Sequence, residues 1–171
     1  AGSSNCAACE AGTYSSAPGE SCVSCSSGQY RESGTLDVTP CADCLAGFHQ
    51  NDEGQASCLP CIPGTFNDQL GKSTCNSCPS GFFANETEQS QCHSCQLGTH
   101  APNKGHASCL SCIPGLFQNL TNQESCDECP INTHSADPNS DSCQLCDVGR
   151  YSVAGSSNCA ACEAGTYSSA P

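Results

Sequence analysis

Apolar positions in this chain come in short, identical bursts. Each burst is a pair of cysteines in Cys-x-x-Cys, a glycine three residues after the second cysteine, and a ring two residues beyond, as in "CAACEAGTY" from Cys6 and "CLPCIPGTF" from Cys58. A polar loop follows, then a small residue and the next doublet. The ten doublets start at Cys6, Cys22, Cys41, Cys58, Cys75, Cys92, Cys109, Cys126, Cys143 and Cys159, at intervals of 16, 19, six times 17, and 16. Bursts this short predict short irregular strands, almost no helix, no large core and no large sheet.

Two turns are predicted per unit. The first holds Gly12, Gly28, Gly47, Gly64, Gly81, Gly98, Gly115, Gly149 and Gly165, with Asn132 the one departure. Asparagine tolerates a positive φ best after glycine, so the exception itself supports a left-handed residue there. The second holds Gly19, Gly54, Gly71, Gly105, Asn122, Asn139 and Gly155. Between them the ring slot carries Tyr14, Tyr30, His49, Phe66, Phe83, His100, Phe117, His134, Tyr151 and Tyr167, which reads as the miniature core of each unit.

The units are nested. Every third unit matches best: "CLPCIPGTF" at Cys58 returns as "CLSCIPGLF" at Cys109, and "GFHQNDEGQASC" as "GTHAPNKGHASC". Residues Ala1–Pro18 reappear unchanged as Ala154–Pro171. Residues 1–153 thus read as one long repeat of nine units of about 17 residues, and 154–171 as the start of the next. The predicted architecture is an elongated, solenoid-like rod of small disulfide-rich repeats.

Composition narrows the chemistry. Twenty cysteines in 171 residues, with no Met or Trp, leave too little apolar surface for an ordinary core, so cross-links must supply the order. Four Lys or Arg against 17 Asp or Glu, a net charge of −13, argue against nucleic acid and for a solvated surface. No apolar run approaches a membrane span. No Ser/His/Asp set or phosphate-cradling loop is present, so no catalytic residue, metal or cofactor is expected. His49, His100 and His134 stand in a Tyr/Phe slot, where packing is favoured over metal binding or acid–base work. "DPNSDS" at Asp137–Ser142 starts like a calcium loop but lacks the sixth-position glycine, and Val148 stands where the acidic twelfth residue belongs. Asn85 in "NET" and Asn119 in "NLT" are glycosylation sequons two units apart.

The doublets could serve zinc or disulfides. Four-cysteine zinc sites would make ligand-bearing loops alternate with linkers, whereas every interval here carries the same turn-and-ring motif. Redox-active Cys-x-x-Cys pairs work at a helix start, a context missing here. A ladder joining the second cysteine of each doublet to the first of the next satisfies the uniformity. Its rungs are Cys9–Cys22, Cys25–Cys41, Cys44–Cys58, Cys61–Cys75, Cys78–Cys92, Cys95–Cys109, Cys112–Cys126, Cys129–Cys143 and Cys146–Cys159. Cys6 and Cys162 then pair outside this window, with "GESC" expected after Pro171. An interleaved ladder starting with Cys6 to Cys25 is equally periodic, and spacing does not choose between them.

The segment "CEAGTYSSAPGESC" (Cys9 to Cys22) and its copies resemble the tandem cysteine-rich repeats of tumour-necrosis-factor receptors and the ephrin-receptor-like modules. The resemblance implies that the Cys-x-x-Gly-x-Tyr loop is closed by its own two cysteines, Cys9 to Cys22. The receptors' second module type, with crossed bridges, has no counterpart here. Long arrays of such units also look like protist surface proteins, among them ciliate surface antigens and the mastigoneme proteins of flagellar hairs. The expectation is an extracellular or cell-surface structural subunit of a filament or coat, with copies of itself, other filament proteins and N-glycans as partners. The alternative is a receptor-type ectodomain binding a protein ligand.

Overall fold

The computed structural model describes residues 8–34 and 39–168. Among them there is no helix, and the regular structure consists of nine two-stranded antiparallel ladders with two residues per strand. Each ladder pairs the ring and its predecessor with the two residues inside the following doublet, as in Phe48↔Pro60 and His49↔Leu59, or Thr133↔Leu145 and His134↔Gln144. The second cysteine of that doublet then donates its N–H to the first-turn carbonyl, as Cys61 does to Gly47 and Cys146 to Asn132. One unit is thus a hairpin whose base is a cysteine doublet.

The local sequence makes the hairpin. After the second cysteine the chain must reverse within four residues, and the residue before the ring donates its N–H to the carbonyl three back. Where that residue is threonine its hydroxyl donates to the same carbonyl, from Thr65 to Ile62, Thr99 to Gln96 and Thr133 to Pro130, each at 2.7 Å. The first-turn residue is left-handed throughout, and Asn132 adopts φ 64° in the slot glycine otherwise holds. Gly47 shows a second demand on this slot. A Cβ built there would lie 2.1 Å from the Glu88 carbonyl oxygen, so the approach of another loop's backbone excludes any side chain.

Nine disulfides join Cys9–Cys22, Cys25–Cys41, Cys44–Cys58, Cys61–Cys75, Cys78–Cys92, Cys95–Cys109, Cys112–Cys126, Cys129–Cys143 and Cys146–Cys159. Each closes one hairpin loop, and the interleaved arrangement is not adopted. Cys162 is the free cysteine among the described residues, while Cys6 and anything after Pro171 lie outside them. On the chain-entropy estimate a loop of this length contributes about 3 kcal/mol per rung.

The chain divides into two compact units, residues 1–77 with 86–91, and residues 78–85 with 92–171. In the first, the first-turn residue of a loop donates its N–H to the residue after the ring in the next loop, Gly28 to Gln50 at 2.7 Å and Gly47 to Asn67 at 2.7 Å. The second-turn residue donates back to the cysteine opening the preceding loop, Gly54 to Cys25 and Gly71 to Cys44. The second unit uses the same bonds, Gly98 to Gln118, Gly115 to Ser135, Asn122 to Cys95 and Asn139 to Cys112. A recurring set of backbone bonds therefore joins loop to loop whatever the loop's side chains, which is why the polar loops tolerate such varied sequences.

The buried positions differ in one respect from the expectation. The rings at Tyr14, Tyr30, His49, Phe66, Phe83, His100, Phe117 and His134 are only half-buried, and Tyr151 and Tyr167 are exposed. The core is the second cysteine of each doublet, at 0–1% exposure from Cys25 to Cys129, together with the residue just after the ring. A two-residue ladder has too little area to cover a ring on both faces, whereas the next position points inward where adjacent loops meet.

Candidate functional site

The slot after the ring is buried in every unit from Ser15 to Ser152, and its chemistry is mixed. It holds Ser15, Arg31, Gln50, Asn67, Ala84, Ala101, Gln118, Ser135 and Ser152, none more than 6% exposed. A buried polar group must be bonded, and two solutions occur. Gln50 and Gln118 brace their own loop: Nε2 donates to Ser57 O at 2.8 Å and Ser125 O at 2.9 Å, while Oε1 accepts from Asp52 N and Leu120 N. Arg31, Asn67 and Ser152 reach back to the carbonyl before the ring of the preceding loop, at Thr13, Phe48 and Thr133, and Asn67 Oδ1 also accepts from Gln69 N in its own loop. Nothing in the sequence reading singled this slot out. The signal available was the exclusion of bulky aliphatics at a fixed register position.

Two of the histidines in the ring slot lie at the disulfide of the following loop and form a chemical cluster with it. His100 Nδ1 is 3.2 Å from Cys126 Sγ, and His134 Nδ1 is 3.2 Å from Cys159 Sγ. His134 Nδ1 also lies 3.2 Å from the Gln144 carbonyl, which only accepts, so this nitrogen carries the proton in the arrangement seen. Around each histidine the ring nitrogen and the sulfurs of one rung, Cys112–Cys126 or Cys146–Cys159, all lie within 4.8 Å of one another. His49 occupies the same slot, but its Nδ1 is buried without a hydrogen-bond partner. Along the chain none of these histidines has a ligand partner, and folding supplies one to two of them.

Asn85 and Asn119 occupy the same register, two residues after their rings, and both are exposed. Exposed aliphatics flank the doublets, among them Ile62 and Ile113 at 65% and 64% exposure in units that correspond across the longer period. No helix among the described residues is long and apolar enough to cross a membrane.

The repeat geometry agrees with what the comparison with known families finds. The family described as tyrosine-protein kinase ephrin type A/B receptor-like matches at residues 34–72, 64–105 and 98–146, three overlapping stretches that run through most of the described loops. No curated protein matches the chain.

Proposed function

The chain belongs to the tyrosine-protein kinase ephrin type A/B receptor-like family, as tandem cysteine-rich repeats of the extracellular type, and on that premise we propose that it is a structural subunit of an extracellular filament or surface coat, such as a flagellar hair. The observation that carries this reading is the interchangeability of the loops. Among the described residues the loops share one turn-and-ladder backbone and are bonded through main-chain groups to their neighbours, so a chain lengthens by adding loops without a larger core. Loops that differ mainly in solvated side chains suit repeated lateral contacts. A protein ligand selects instead for one distinctive apolar patch. In this role the chain performs no catalysis, its partners are copies of itself or other filament proteins, and Asn85 and Asn119 carry N-glycans.

The family match also favours a second reading, a receptor-type ectodomain presenting one face to a protein ligand. Immunogold electron microscopy of intact, unpermeabilised cells separates the two. Gold along filaments or a continuous coat supports the structural role. Gold scattered singly over the plasma membrane points to the receptor, and intact cells that stay bare while permeabilised cells label inside sink both readings.

A further inference from the structure

Two of the nine rungs differ from the rest by having a histidine nitrogen at their sulfurs. We propose that Cys112–Cys126 with His100, and Cys146–Cys159 with His134, are alternative thiophilic metal sites: when a thiol opens the rung, the two thiolates and the imidazole bind one zinc ion.

The geometry carries the proposal. Zinc bound by two cysteines and one histidine has Zn–S bonds of about 2.3 Å and Zn–N bonds of about 2.0 Å, so neighbouring ligand atoms stand about 3.5 Å apart. His100 Nδ1 and Cys126 Sγ, and His134 Nδ1 and Cys159 Sγ, are already 3.2 Å apart. The third ligand atom of each group is within 4.8 Å, so a change of side-chain rotamer completes the set with no rearrangement of the hairpin. Cys112 is fully buried while Cys126 and His100 are half-buried, which leaves a fourth position open to water. Binding through Nδ1 places the ring proton on Nε2, and His134 gives up its contact with the Gln144 carbonyl. The other seven rungs keep the backbone in place around either site. Two copies of the same triad, with the histidines in one register slot, make a single chance contact a poor account.

The step balances with a monothiol as reductant. Two RSH and one Cys–S–S–Cys give RSSR and two Cys–SH, and zinc then displaces the two thiol protons. Because the metal binds only the opened form, it draws these rungs, and no others, toward reduction.

The test equilibrates oxidised protein with a buffer of reduced and oxidised glutathione, with and without zinc. After acid quenching and zinc removal, free thiols are alkylated and mapped by mass spectrometry. At zinc about 100-fold above its Kd, the reduced fraction at Cys112–Cys126 and Cys146–Cys159 should rise about 100-fold relative to the disulfide. The other rungs should stay within about twofold. His100→Phe should cancel the shift at Cys112–Cys126 alone, and His134→Phe at Cys146–Cys159 alone. Phenylalanine already fills this slot at Phe66, Phe83 and Phe117. Cobalt(II) in place of zinc gives a readout independent of the variants, with thiolate-to-cobalt absorption saturating at two equivalents per chain expected. The proposal is overturned by zinc shifting all rungs alike, by no shift, by a shift that survives the phenylalanine variants, or by cobalt spectra without thiolate bands.

Discussion

The loop Cys44–Cys58 and the loop Cys95–Cys109 are the same piece of chain written twice. Both have a first-turn glycine, a histidine in the ring slot, a second-turn glycine and Ala-Ser before the closing cysteine. Their insides differ. In the first, Gln50 fills the buried slot and bonds both arms of its own loop, and His49 Nδ1 has no partner. In the second, Ala101 fills the slot with a methyl group, the loop continues through Pro102, and His100 Nδ1 meets the sulfur of Cys126. The backbone mould asks only for a flat ring and an inward residue that is not a bulky aliphatic. Because the ring is half-buried, the mould does not dictate where the ring's polar edge turns, and chemistry can appear in one copy and not in its twin.

Removing what the two loops share has the largest effect. Replacing Cys44 and Cys58, or Cys95 and Cys109, by serine should each lower the unfolding free energy by about 3 kcal/mol, read from denaturant midpoints at constant slope. A much larger loss from one pair than from the other would mean that the loops are not equivalent building units. Gly47→Ala should follow, since it meets both the left-handed backbone and the Glu88 carbonyl. About 1–2 kcal/mol comes from backbone conformation alone, and amide exchange at Glu88, which donates to Cys61 O, should speed up.

The buried slot should separate the twins. Gln50→Ala strands the Asp52 N–H and removes the bond to Ser57 O, an expected cost of about 1–2 kcal/mol. Ala101→Gln in the other loop has a methyl-sized space to fill and should cost about 1–3 kcal/mol by overpacking. If the glutamine were accepted there at no cost, the two interiors would be interchangeable and the contrast would fail. The smallest effects concern the rings. His49→Phe removes an unpartnered buried nitrogen and should stabilise by roughly 0.5–1 kcal/mol, whereas His100→Phe removes a contact to sulfur and should be neutral or slightly destabilising. Thermal melts of the oxidised variants would register the opposite signs.

Much of the local fold was legible because it is written in residues with special backbone properties. The left-handed first turn follows from a glycine column with one asparagine, and Asn132 takes up that conformation. The absence of helix among the described residues follows from bursts too short to nucleate one. Glu88 shows where such reading stops. It is left-handed at φ 65° in the second-turn slot, although nothing in its side chain announces it, because its N–H and carbonyl are held by Cys61 and by the close approach to Gly47. The rings drew attention as the core for want of other large apolar residues, while the position beside them proved better buried.

By itself the sequence determined the period, two turns around a short strand in each unit, and the need for covalent cross-links, since each of these depends on residues close together in the chain. Tertiary structure decided between two equally periodic disulfide ladders, because that choice depends on which cysteines the hairpin folds together. It decided likewise which inward side chains pair across loops, which carbonyl crowds Gly47, and which two histidines find sulfur. Those relations join residues some 20 to 45 positions apart, and local propensity carries no information over that distance.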